Sequence, residues 1–462
     1  MLRFRLLLLG ACLLLLHPLP AAEPPAAVPT GELIDRVWAG HPVSFALLTE
    51  RGHQFIAYYD AERRLTVAGR KLGETAWTRV QPPGVPSAHQ RDSNRLGWDS
   101  HNYLRLALDR AGCLHVSGNM HVDPLVYYRT RAPFDLTTLE RVDRMTGDRE
   151  THCTYPVFFN NAAGDLLFRY RDGSSGNGAD LYNIYDEPAR TWRRVLATPL
   201  LDGEGRRNAY ALDPQLGPDG RFHLVWMWRD TPDCATNHTL SYARSRDFVQ
   251  WENSRGEPLA RPITLATGEV IDPARPGEGL INMTFNLGFD AAQLPVVVYH
   301  RYDEPGHSQA YAARPRAAGG WAITPLSTWD FTWAFSGNGS IAGEVTLGPP
   351  RLADDGMLLV DYSTQAAGSG RWRVNAATLA TVAQLPAAPA VLPDALLRPA
   401  DAASGLEVQT VVARHQGRRY VLRWETLPRN RDRPRDAAPP PAELRLYELP
   451  DTEAGTATRV GS

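Results

Sequence analysis

The sequence predicts an all-β fold, a seven-bladed β-propeller built from four-stranded antiparallel blades. One short pattern recurs seven times: a tight turn, most often containing Gly, then a run of β-forming residues and an aromatic residue. Successive copies lie 52 to 72 residues apart, a period that is typical of radial β arrays. One such unit cannot bury both faces by itself, whereas seven units around an axis can, and closure hides most sheet edges. The copies are centred on Gly52, Gly112, Gly164, Gly220, Ala292, Gly356 and Gly417.

After the repeats and their spacing, composition also favours this fold. The chain has 12 Trp, 17 Tyr, 38 Gly and 37 Pro among 462 residues, which suits many strands joined by many turns. The seven units account for nearly all of the chain, so we expect one domain at residues 23–462. The formal net charge is −2, and no basic excess indicates a nucleic acid or an acidic membrane as partner. We expect a monomer without a membrane span.

The N-terminus has the features of a targeting segment. Two arginines within residues 1–5 precede an apolar core at residues 6–16, and small residues follow at 21–22. The core is too short to span a bilayer, so we predict a cleaved signal peptide at residues 1–22 and a secreted or periplasmic protein. The remaining chain has three cysteines, Cys113, Cys153 and Cys234. This odd number allows at most one internal disulfide.

A second recurring signature is a strand, a short turn and then Trp. In the run Ser245 to Trp251 it takes a degenerate form of the Ser-x-Asp turn found in sialidase-type propellers. We expect the Asp247 side chain to close this turn and Trp251 to pack between blades. This motif is structural and indicates no particular activity.

Four polar and aromatic stretches exceed what strand formation requires. The first two contain His101 and His121, which are 20 residues apart, a spacing at which two neighbouring strand ends meet on one face. The third contains Tyr155 and continues through Arg171 into a Gly- and Ser-rich loop that lets backbone approach a ligand. The fourth stretch includes Tyr210, and further along it Arg229 and His238.

Each stretch also has an ordinary structural interpretation. A histidine can cap a turn or stack in the core, and Arg171 can form a salt bridge with Asp172. Either Trp226 or Trp228 belongs to the core, because alternate strand residues face opposite sides. For the two histidines, which are flanked by Asp99, Asn102 and Asn119, the structural and functional interpretations both stay open.

His, Tyr and Arg on one face fit one kind of chemistry. Removing a proton next to a carboxylate needs a base, a cation that holds the carboxylate, and an acid for the leaving oxygen. Arg binds a carboxylate through two parallel hydrogen bonds, and His or Tyr can serve as base or acid. This is β-elimination from a uronic acid polymer. Hydrolysis requires a carboxylate pair instead, and Asp99, Asp172 and Asp230 keep that alternative open.

At these residues the chain resembles a known family. The run from Trp98 to Arg129, then TYP, FRYRDGSSGNG, NAYALDP and WRDTPDCATNHTLSYARS, is similar to the BNR-repeat propellers that include seven-bladed ulvan lyases, over about residues 90 to 310. The resemblance implies an exported lyase that cleaves a sulfated, uronate-containing polysaccharide without an organic cofactor. It implies catalytic roles for His101, His121, Tyr155, Arg171 and Tyr210, and we predict that Asn119 and Arg229 bind substrate. His101 and Tyr155 remain interchangeable as base and acid.

The resemblance also implies a structural zinc ion. Cys234 and His238 are the best local ligand candidates, with His223 or His300 as further ligands from neighbouring strands. A buried cysteine without metal is the competing interpretation. Two other functions stay open for the whole protein: a sialidase-like glycoside hydrolase and a carbohydrate-binding propeller without catalysis.

Overall fold

Antiparallel sheets account for nearly all of the regular structure. The computed structural model describes residues 30–87 and 92–451, so the predicted signal peptide lies outside the described residues. Within these ranges the strands form seven antiparallel sheets. The helical elements of this part are two 3₁₀ turns, Leu136–Thr138 and Cys234–Thr236, and one short α-helix, Asp394–Leu397. The all-β prediction is therefore confirmed. No helix in the described residues is long and apolar enough to cross a membrane.

The sheets are numbered 1 to 7 along the chain, and each has a four-stranded core. Sheet 1 contains Ala46–Glu50, His53–Tyr59, Leu65–Lys71 and Thr78–Val80; sheet 2 contains Leu104–Leu108, Leu114–Gly118, Tyr127–Thr130 and Leu139–Arg141. Sheet 3 contains His121–Asp123, Cys153–Asn160, Leu166–Ser174, Asn177–Asp186, Thr191–Arg194 and Leu201–Asp202. Sheet 4 contains Asn208–Ala211, Gln215–Leu216, Phe222–Arg229, Asn237–Ser245, Trp251–Glu252 and Glu269–Asp272.

The remaining sheets complete the chain. Sheet 5 contains Asn286–Phe289, Pro295–Tyr302, Ser308–Pro315 and Trp321–Pro325. Sheet 6 contains Val345–Leu347, Arg351–Leu352, Leu358–Thr364, Gly368–Val374 and Thr381–Pro386. Sheet 7 contains Glu407–His415, Arg418–Thr426, Ala442–Pro450 and, from the other end of the chain, Glu32–Val37.

The seven turns identified in the sequence each join two neighbouring strands, and each lies in a different sheet. Gly takes the left-handed conformation in six of them. In sheet 5, where Gly is missing, Gln293 takes this role with φ +63°. Asp290 stabilises that turn because its Oδ1 accepts hydrogen bonds from the backbone N–H groups of Ala292 and Leu294, both at 2.9 Å.

The Ser-x-Asp turn forms as predicted. Asp247 Oδ1 accepts the backbone N–H groups of Val249 and Gln250 at 2.8 and 2.7 Å, and Ser245 Oγ donates to the Gln250 carbonyl at 2.6 Å. Trp251 is buried against Phe248. The side chains of the turn therefore satisfy its backbone groups locally.

Aromatic contacts join successive sheets. Phe45 stacks on Trp424 of sheet 7 with ring centroids 4.3 Å apart. Trp192 of sheet 3 donates from Nε1 to the Tyr127 hydroxyl of sheet 2 at 3.0 Å. Phe159 of sheet 3 contacts Phe248, in a turn between two strands of sheet 4, at 5.2 Å between centroids. Tyr242 of sheet 4 contacts Trp321 of sheet 5 at 5.3 Å. These large apolar rings fill the spaces between sheets.

Sheet 7 joins the two ends of the described chain. Glu32–Val37 pairs antiparallel with Ala442–Pro450, with Glu32 opposite Leu446 and Val37 opposite Ala442. Sheet 7 therefore obtains its fourth strand from the N-terminal end of the described chain.

Candidate active site

One cavity of about 560 Å³ contains six of the seven side chains that the sequence predicted for catalysis and substrate binding. They come from strands and connecting segments around sheets 2, 3 and 4. The wall of the cavity also includes residues from segments 281–285 and 338–341, and Arg429. The six are His101, His121, Tyr155, Arg171, Tyr210 and Arg229. Their roles stay predictions, but their assembly in one place permits joint chemistry.

Local backbone irregularities aim two of these side chains at the cavity. The pairing between the first long strands of sheet 3 shifts between Thr154 and Val157, which is a β-bulge. Tyr155 lies in this bulge with φ +58°, and Val122, next to His121, has φ +60°. Non-glycine residues rarely adopt this conformation, and bulges often redirect side chains near active sites. The strand ends are therefore shaped to present Tyr155 and His121.

The carboxylate of Asp99 binds both histidines. His101 Nδ1 lies 2.7 Å from Asp99 Oδ1, and His121 Nδ1 is hydrogen-bonded to Asp99 Oδ2. The two imidazole centroids are 4.4 Å apart. Burial raises the pKa of Asp99, but the hydrogen bonds from His101 and His121 outweigh this effect, so the pKa lies well below its ordinary value.

This arrangement decides the tautomer of each imidazole. An ionised carboxylate only accepts hydrogen bonds, so both Nδ1 atoms must carry the proton. The lone pair of each neutral ring then resides on Nε2. Burial lowers the pKa of His121 although Asp99 acts to raise it, so this ring is neutral near pH 7. Neutral imidazoles with fixed orientation are suitable proton acceptors.

Tyr155 and Arg171 form the deep wall. The Arg171 guanidinium lies over the Tyr155 ring, 4.8 Å from its centroid, and its Nη2 donates to Thr154 Oγ1 at 3.0 Å. Arg171 is only 3% exposed, yet its Nε and Nη1 have no partner among the described residues. Burial and the neighbouring Tyr210 raise the pKa of Tyr155, so its hydroxyl stays protonated and can donate.

Tyr210 is surrounded by donors. Arg229 Nη1 donates to its hydroxyl at 3.2 Å, and Ser175 Oγ lies 2.7 Å from the same oxygen. Burial raises the pKa of Tyr210, but the positive charges of Arg229 and Arg171 outweigh it and lower the pKa. Neutral amides fix Arg229, because its Nε and Nη2 donate to Asn237 Oδ1 at 2.8 Å and to Asn282 Oδ1 at 2.6 Å.

The charge state of the arginines distinguishes this cavity from an ordinary ion-pair network. Arg171 and Arg229 bind hydroxyl and amide oxygens, and neither forms a salt bridge with a described carboxylate. Arg169, two residues before Arg171, also lines the cavity, but Asp180 neutralises it at 2.9 Å. Two buried positive charges therefore stay uncompensated, which favours an anionic ligand.

Asn119 is the one predicted substrate-binding residue that the structure does not bring into the cavity. Asn119 is fully buried and does not line the cavity. Its amide nitrogen donates to the carbonyl of Ser93 at 2.5 Å and to that of Arg95 at 3.1 Å. The φ of Asn119 is +54°, so it stabilises the backbone turn before His121, and its role in substrate binding stays a prediction. Asparagine suits this task because it tolerates the left-handed region.

Several groups of the site were not among the sequence-based candidates. Asp432, from the segment between the last strands of sheet 7, lies 3.7 Å from His101 Nδ1. Asn282 and Ser175 hold Arg229 and Tyr210. Only the Gly- and Ser-rich composition around Ser175 gave a local signal; Asp432 and Asn282 have none in the sequence.

In the described residues, the predicted zinc ligands Cys234 and His238 belong to no group of three potential ligand atoms. Both ring nitrogens of His238 have partners, Asp230 Oδ1 at 3.1 Å and Thr239 Oγ1 at 2.9 Å. His223 binds Asp219 and Tyr242, and His300 binds the Gly279 carbonyl. Among the described residues, only Asp99, His101 and His121 bring three potential ligand atoms within 4.8 Å of one another. The donor set around Cys234 thus does not fit a four-ligand zinc ion, and the three described cysteines are free and buried.

The sequence matches the BNR repeat-containing family over residues 53–329, more than half of the chain. The protein belongs to this family. It is also similar to the long isoforms of ulvan lyases, with 28% identity over 133 residues to that of an Alteromonas species and 24% over 217 residues to that of Glaciecola sp. strain KUL10. These segments cover 26% and 41% of this chain but only 13% and 21% of the relatives.

Solved structures share the fold over nearly the whole chain. The polysaccharide lyase Uly1 superposes with a TM-score of 0.58 at 16% identity, covering 89% of this chain and 90% of its own. A PL25 ulvan lyase superposes with a TM-score of 0.57 at 14% identity, covering 91% and 95%, and its complex with -[GlcA(1-4)Rha3S]- aligns equally well. The resemblance to ulvan lyases is confirmed, and at these identities the superpositions show a common fold.

Proposed function

We propose that this protein is a polysaccharide lyase that cleaves a uronate-containing, ulvan-like polysaccharide by β-elimination. The observation that carries this proposal is the pair of uncompensated arginines, Arg171 and Arg229, beside two imidazoles with fixed tautomers. A carboxylate on a sugar ring supplies the negative charge that these two guanidinium groups lack among the described residues. The similarity to ulvan lyases supports the choice of polymer.

The proposed reaction needs three groups from this site. Arg171 binds the uronate carboxylate and stabilises the negative charge that develops when the adjacent C–H bond breaks. An imidazole Nε2, of His101 or His121, takes that proton, because Asp99 leaves the lone pair there. The C–H electrons form a carbon–carbon double bond, the glycosidic C–O bond breaks, and Tyr155 gives its proton to the leaving oxygen.

The composition of the cavity argues against hydrolysis. Glycoside hydrolysis commonly uses two carboxylic acids on opposite sides of the bond. Among the residues that line the cavity, the only carboxylate is Asp213, and its Oδ1 lies 3.4 Å from Arg169 Nη1. Asp99 is engaged by both histidines. Elimination therefore fits these side chains better than hydrolysis.

The test is to incubate the purified protein with ulvan and with uronate polymers that lack sulfate. Elimination produces a conjugated double bond with ultraviolet absorbance and oligosaccharides that carry an unsaturated uronate. New reducing ends without that absorbance would indicate a hydrolase instead, and binding without any cleavage would indicate a carbohydrate-binding propeller. Cleavage of ulvan only, or of all uronate polymers, defines the substrate range.

Replacing Tyr155 by Phe tests the chemical step. The variant loses only a hydroxyl, so the fold and polymer binding persist, while kcat falls by about 10²–10⁴-fold if Tyr155 is the acid. Tyr103→Phe is the matched control, because Tyr103 also lines the cavity and is given no catalytic role. Full activity of Tyr155→Phe contradicts the assignment.

We further propose that the seven sheets are the blades of a seven-bladed propeller in which Glu32–Val37 completes the last blade. The turns of the seven repeats support this count, because each lies in a different sheet. We also propose export through a signal peptide at residues 1–22 and a monomeric mature protein of one domain. An experimental structure tests the blade number. The N-terminal residue of the mature protein tests export, and the molar mass in solution tests the monomer.

A further inference from the structure

Asp432 connects three distant segments at the edge of the active site. Its Oδ1 accepts hydrogen bonds from the Ser100 backbone N–H at 3.0 Å and from Ser100 Oγ at 2.7 Å. Its Oδ2 accepts the Ser340 backbone N–H at 2.8 Å. The side chain is only 12% exposed. One carboxylate thus joins the segment before sheet 2, the segment before sheet 6 and the last loop of sheet 7.

The local backbone is held in an unfavourable conformation. Arg431 and Asp432 have φ of +50° and +58°, although neither is glycine. Non-glycine residues rarely adopt this conformation, and they persist in it where surrounding contacts enforce it. Arg431 Nη1 donates to the Ser336 carbonyl at 3.3 Å, and a Cβ at Gly339 would lie 2.6 Å from the Arg431 carbonyl oxygen. The loop therefore packs tightly against segment 336–340.

An ordinary ion pair does not explain why this carboxylate is buried. Among the described residues, the only potentially cationic group within 4.0 Å of Asp432 is His101, whose Nδ1 lies 3.7 Å from Oδ2. The same Nδ1 lies 2.7 Å from Asp99 Oδ1. Two carboxylates thus surround one imidazole N–H, and Ser100 lies between Asp99 and His101 in the chain.

We propose that Asp432 is a positioning residue that fixes the Asp99–Ser100–His101 turn, and through it the His101 imidazole, in the active site. This inference rests on the proposed lyase function. By holding both donors of Ser100, Asp432 prevents the turn from shifting relative to the cavity. A displacement of about 1 Å is enough to reduce a catalytic rate about 10²-fold, so this contact affects turnover more than binding.

The first arm of the test measures hydrogen exchange, which does not depend on activity. In Asp432→Asn we expect faster amide exchange in peptides covering Ser100 and Ser340, and unchanged exchange in the central strands of the sheets. Asp436→Asn is the matched control, since it removes the same charge from the same loop. Asp436 is exposed, and its carboxylate forms no hydrogen bond or ion pair with a described residue. Unchanged exchange at Ser100 in Asp432→Asn overturns the inference.

The second arm measures kinetics on the cleaved polymer. Asp432→Asn is expected to lower kcat about 10–100-fold with KM changed less than about twofold, whereas Asp436→Asn keeps both. When Asp432→Asn is added to His101→Gln, kcat should fall by less than about twofold relative to His101→Gln alone. The reason is that the effects of two residues that act through the same group are not additive. The positioning role is contradicted if the kcat losses of the two single variants multiply in the double variant. It is also contradicted if Asp432→Asn keeps the kcat of the unmodified protein.

The two arms separate the inference from the proposed function. If the unmodified protein cleaves no uronate polymer, the proposed function fails, and the exchange arm still decides whether Asp432 holds Ser100. If the protein is a lyase and Asp432→Asn matches it in both arms, the proposed function stands and the inference is wrong. Thermal unfolding of each variant shows whether lost turnover reflects unfolding rather than a displaced imidazole.

Discussion

Asp99 illustrates how one side chain can define the chemistry of two others. Its two oxygens each accept one imidazole N–H, which fixes both rings and leaves the basic nitrogen of each at Nε2. A hydroxyl or an amide in this position would not require both rings to donate. The carboxylate also stabilises whichever imidazole becomes charged after accepting a proton. Asp99 is therefore as important to the proposed reaction as the histidines.

Asp99→Asn tests this role. An amide nitrogen facing one of the Nδ1–H groups forces that ring to rotate or to change its tautomer. We expect kcat to fall about 10²–10⁴-fold, the range of general acid–base catalysis. Steady-state kinetics on ulvan measures the effect.

The control is Asp109→Asn, which alters a similar pair outside the cavity. Asp109 Oδ2 lies 3.4 Å from His115 Nε2, and both residues are fully or nearly fully buried. This variant should lose stability but keep the kcat of its folded fraction. Equal kcat losses in Asp99→Asn and Asp109→Asn would contradict a specific role for Asp99.

The sequence was informative about residues at strand ends and uninformative about distant partners. Five predicted residues lie in or close to recognisable strand runs, so we could predict that they meet on one face: His101, His121, Tyr155, Arg171 and Tyr210. The contact between Asp432 and Ser100 joins positions 332 residues apart and depends on the packing of loops. No local pattern encodes such a contact. Asn119 lies outside the cavity, and the sequence could not show this because the same residue type also stabilises turns.

At the scale of elements, the strand Leu166–Ser174 carries two arginines with opposite tasks. Arg169 and Arg171 lie on the same side of the strand, because side chains alternate. Asp180 on the neighbouring strand lies opposite Arg171, yet its carboxylate binds Arg169 Nε at 3.0 and 2.9 Å. Arg169 is consequently part of a buried ion pair, and Arg171 keeps its charge for a ligand.

The pair Arg169→Met and Arg171→Met separates these tasks. Arg169→Met leaves Asp180 buried without its partner, and breaking such a pair costs about 3–5 kcal/mol. Arg171→Met removes two buried donors that have no partner, so the free energy of unfolding should change little. Urea unfolding measures the stability of both variants. The kcat/KM on the polymer measures the contribution of Arg171 to binding the uronate carboxylate. If Arg171→Met is as unstable as Arg169→Met, Arg171 has a structural role.

Turns were the elements that the sequence predicted best. The turn signals are local, and all seven turns join paired strands, including the sheet 5 turn in which Gln293 replaces Gly. The short strand His121–Asp123 was not predictable. It follows a strand of sheet 2 in the chain but pairs with Cys153–Asn160 of sheet 3. Tertiary packing determines that this strand pairs with Cys153–Asn160. This pairing places His121 opposite Thr154 and beside the cavity.

At the scale of the whole molecule, buried imidazoles link stability to pH. His41 accepts the Trp38 indole N–H at its Nδ1, and His300 binds the Gly279 carbonyl through its Nδ1. Neither Nε2 has a partner among the described residues. Burial is the main cause that lowers the pKa of each ring to about 4 from the ordinary 6.5. Both rings are therefore neutral in the folded protein.

Acid should destabilise the fold in a defined window. Below pH 6.5 the unfolded chain binds protons at these positions while the folded protein does not, so the free energy of unfolding falls from pH 6.5 to about 4. Each ring contributes about 3 kcal/mol across the window. Urea unfolding at several pH values measures the slope. His300→Gln should reduce this slope, because it removes one of the two buried rings. An unchanged slope in His300→Gln contradicts this account.

The strand Glu32–Val37 makes the stability of the whole molecule depend on a short N-terminal segment. It pairs with Ala442–Pro450 and also contacts sheet 1, where Tyr58 donates to Asp35 Oδ2 at 2.6 Å and Trp77 donates to Glu32 Oε1 at 2.8 Å. Ile34 and Val37 are buried. Without this strand, the edge of Ala442–Pro450 and two apolar pockets become exposed.

A protein that starts at Trp38 should therefore unfold at a lower temperature than one that starts at Thr30. A synthetic peptide of residues 30–37 should restore stability in proportion to its concentration, because a ligand that binds only the folded state stabilises it by mass action. The same peptide with Ile34→Asp should not, since it places a charge in an apolar pocket. Thermal unfolding across a peptide titration measures both effects. Equal melting temperatures for the two proteins, or equal rescue by both peptides, would show that strand pairing at sheet 7 does not stabilise the folded protein.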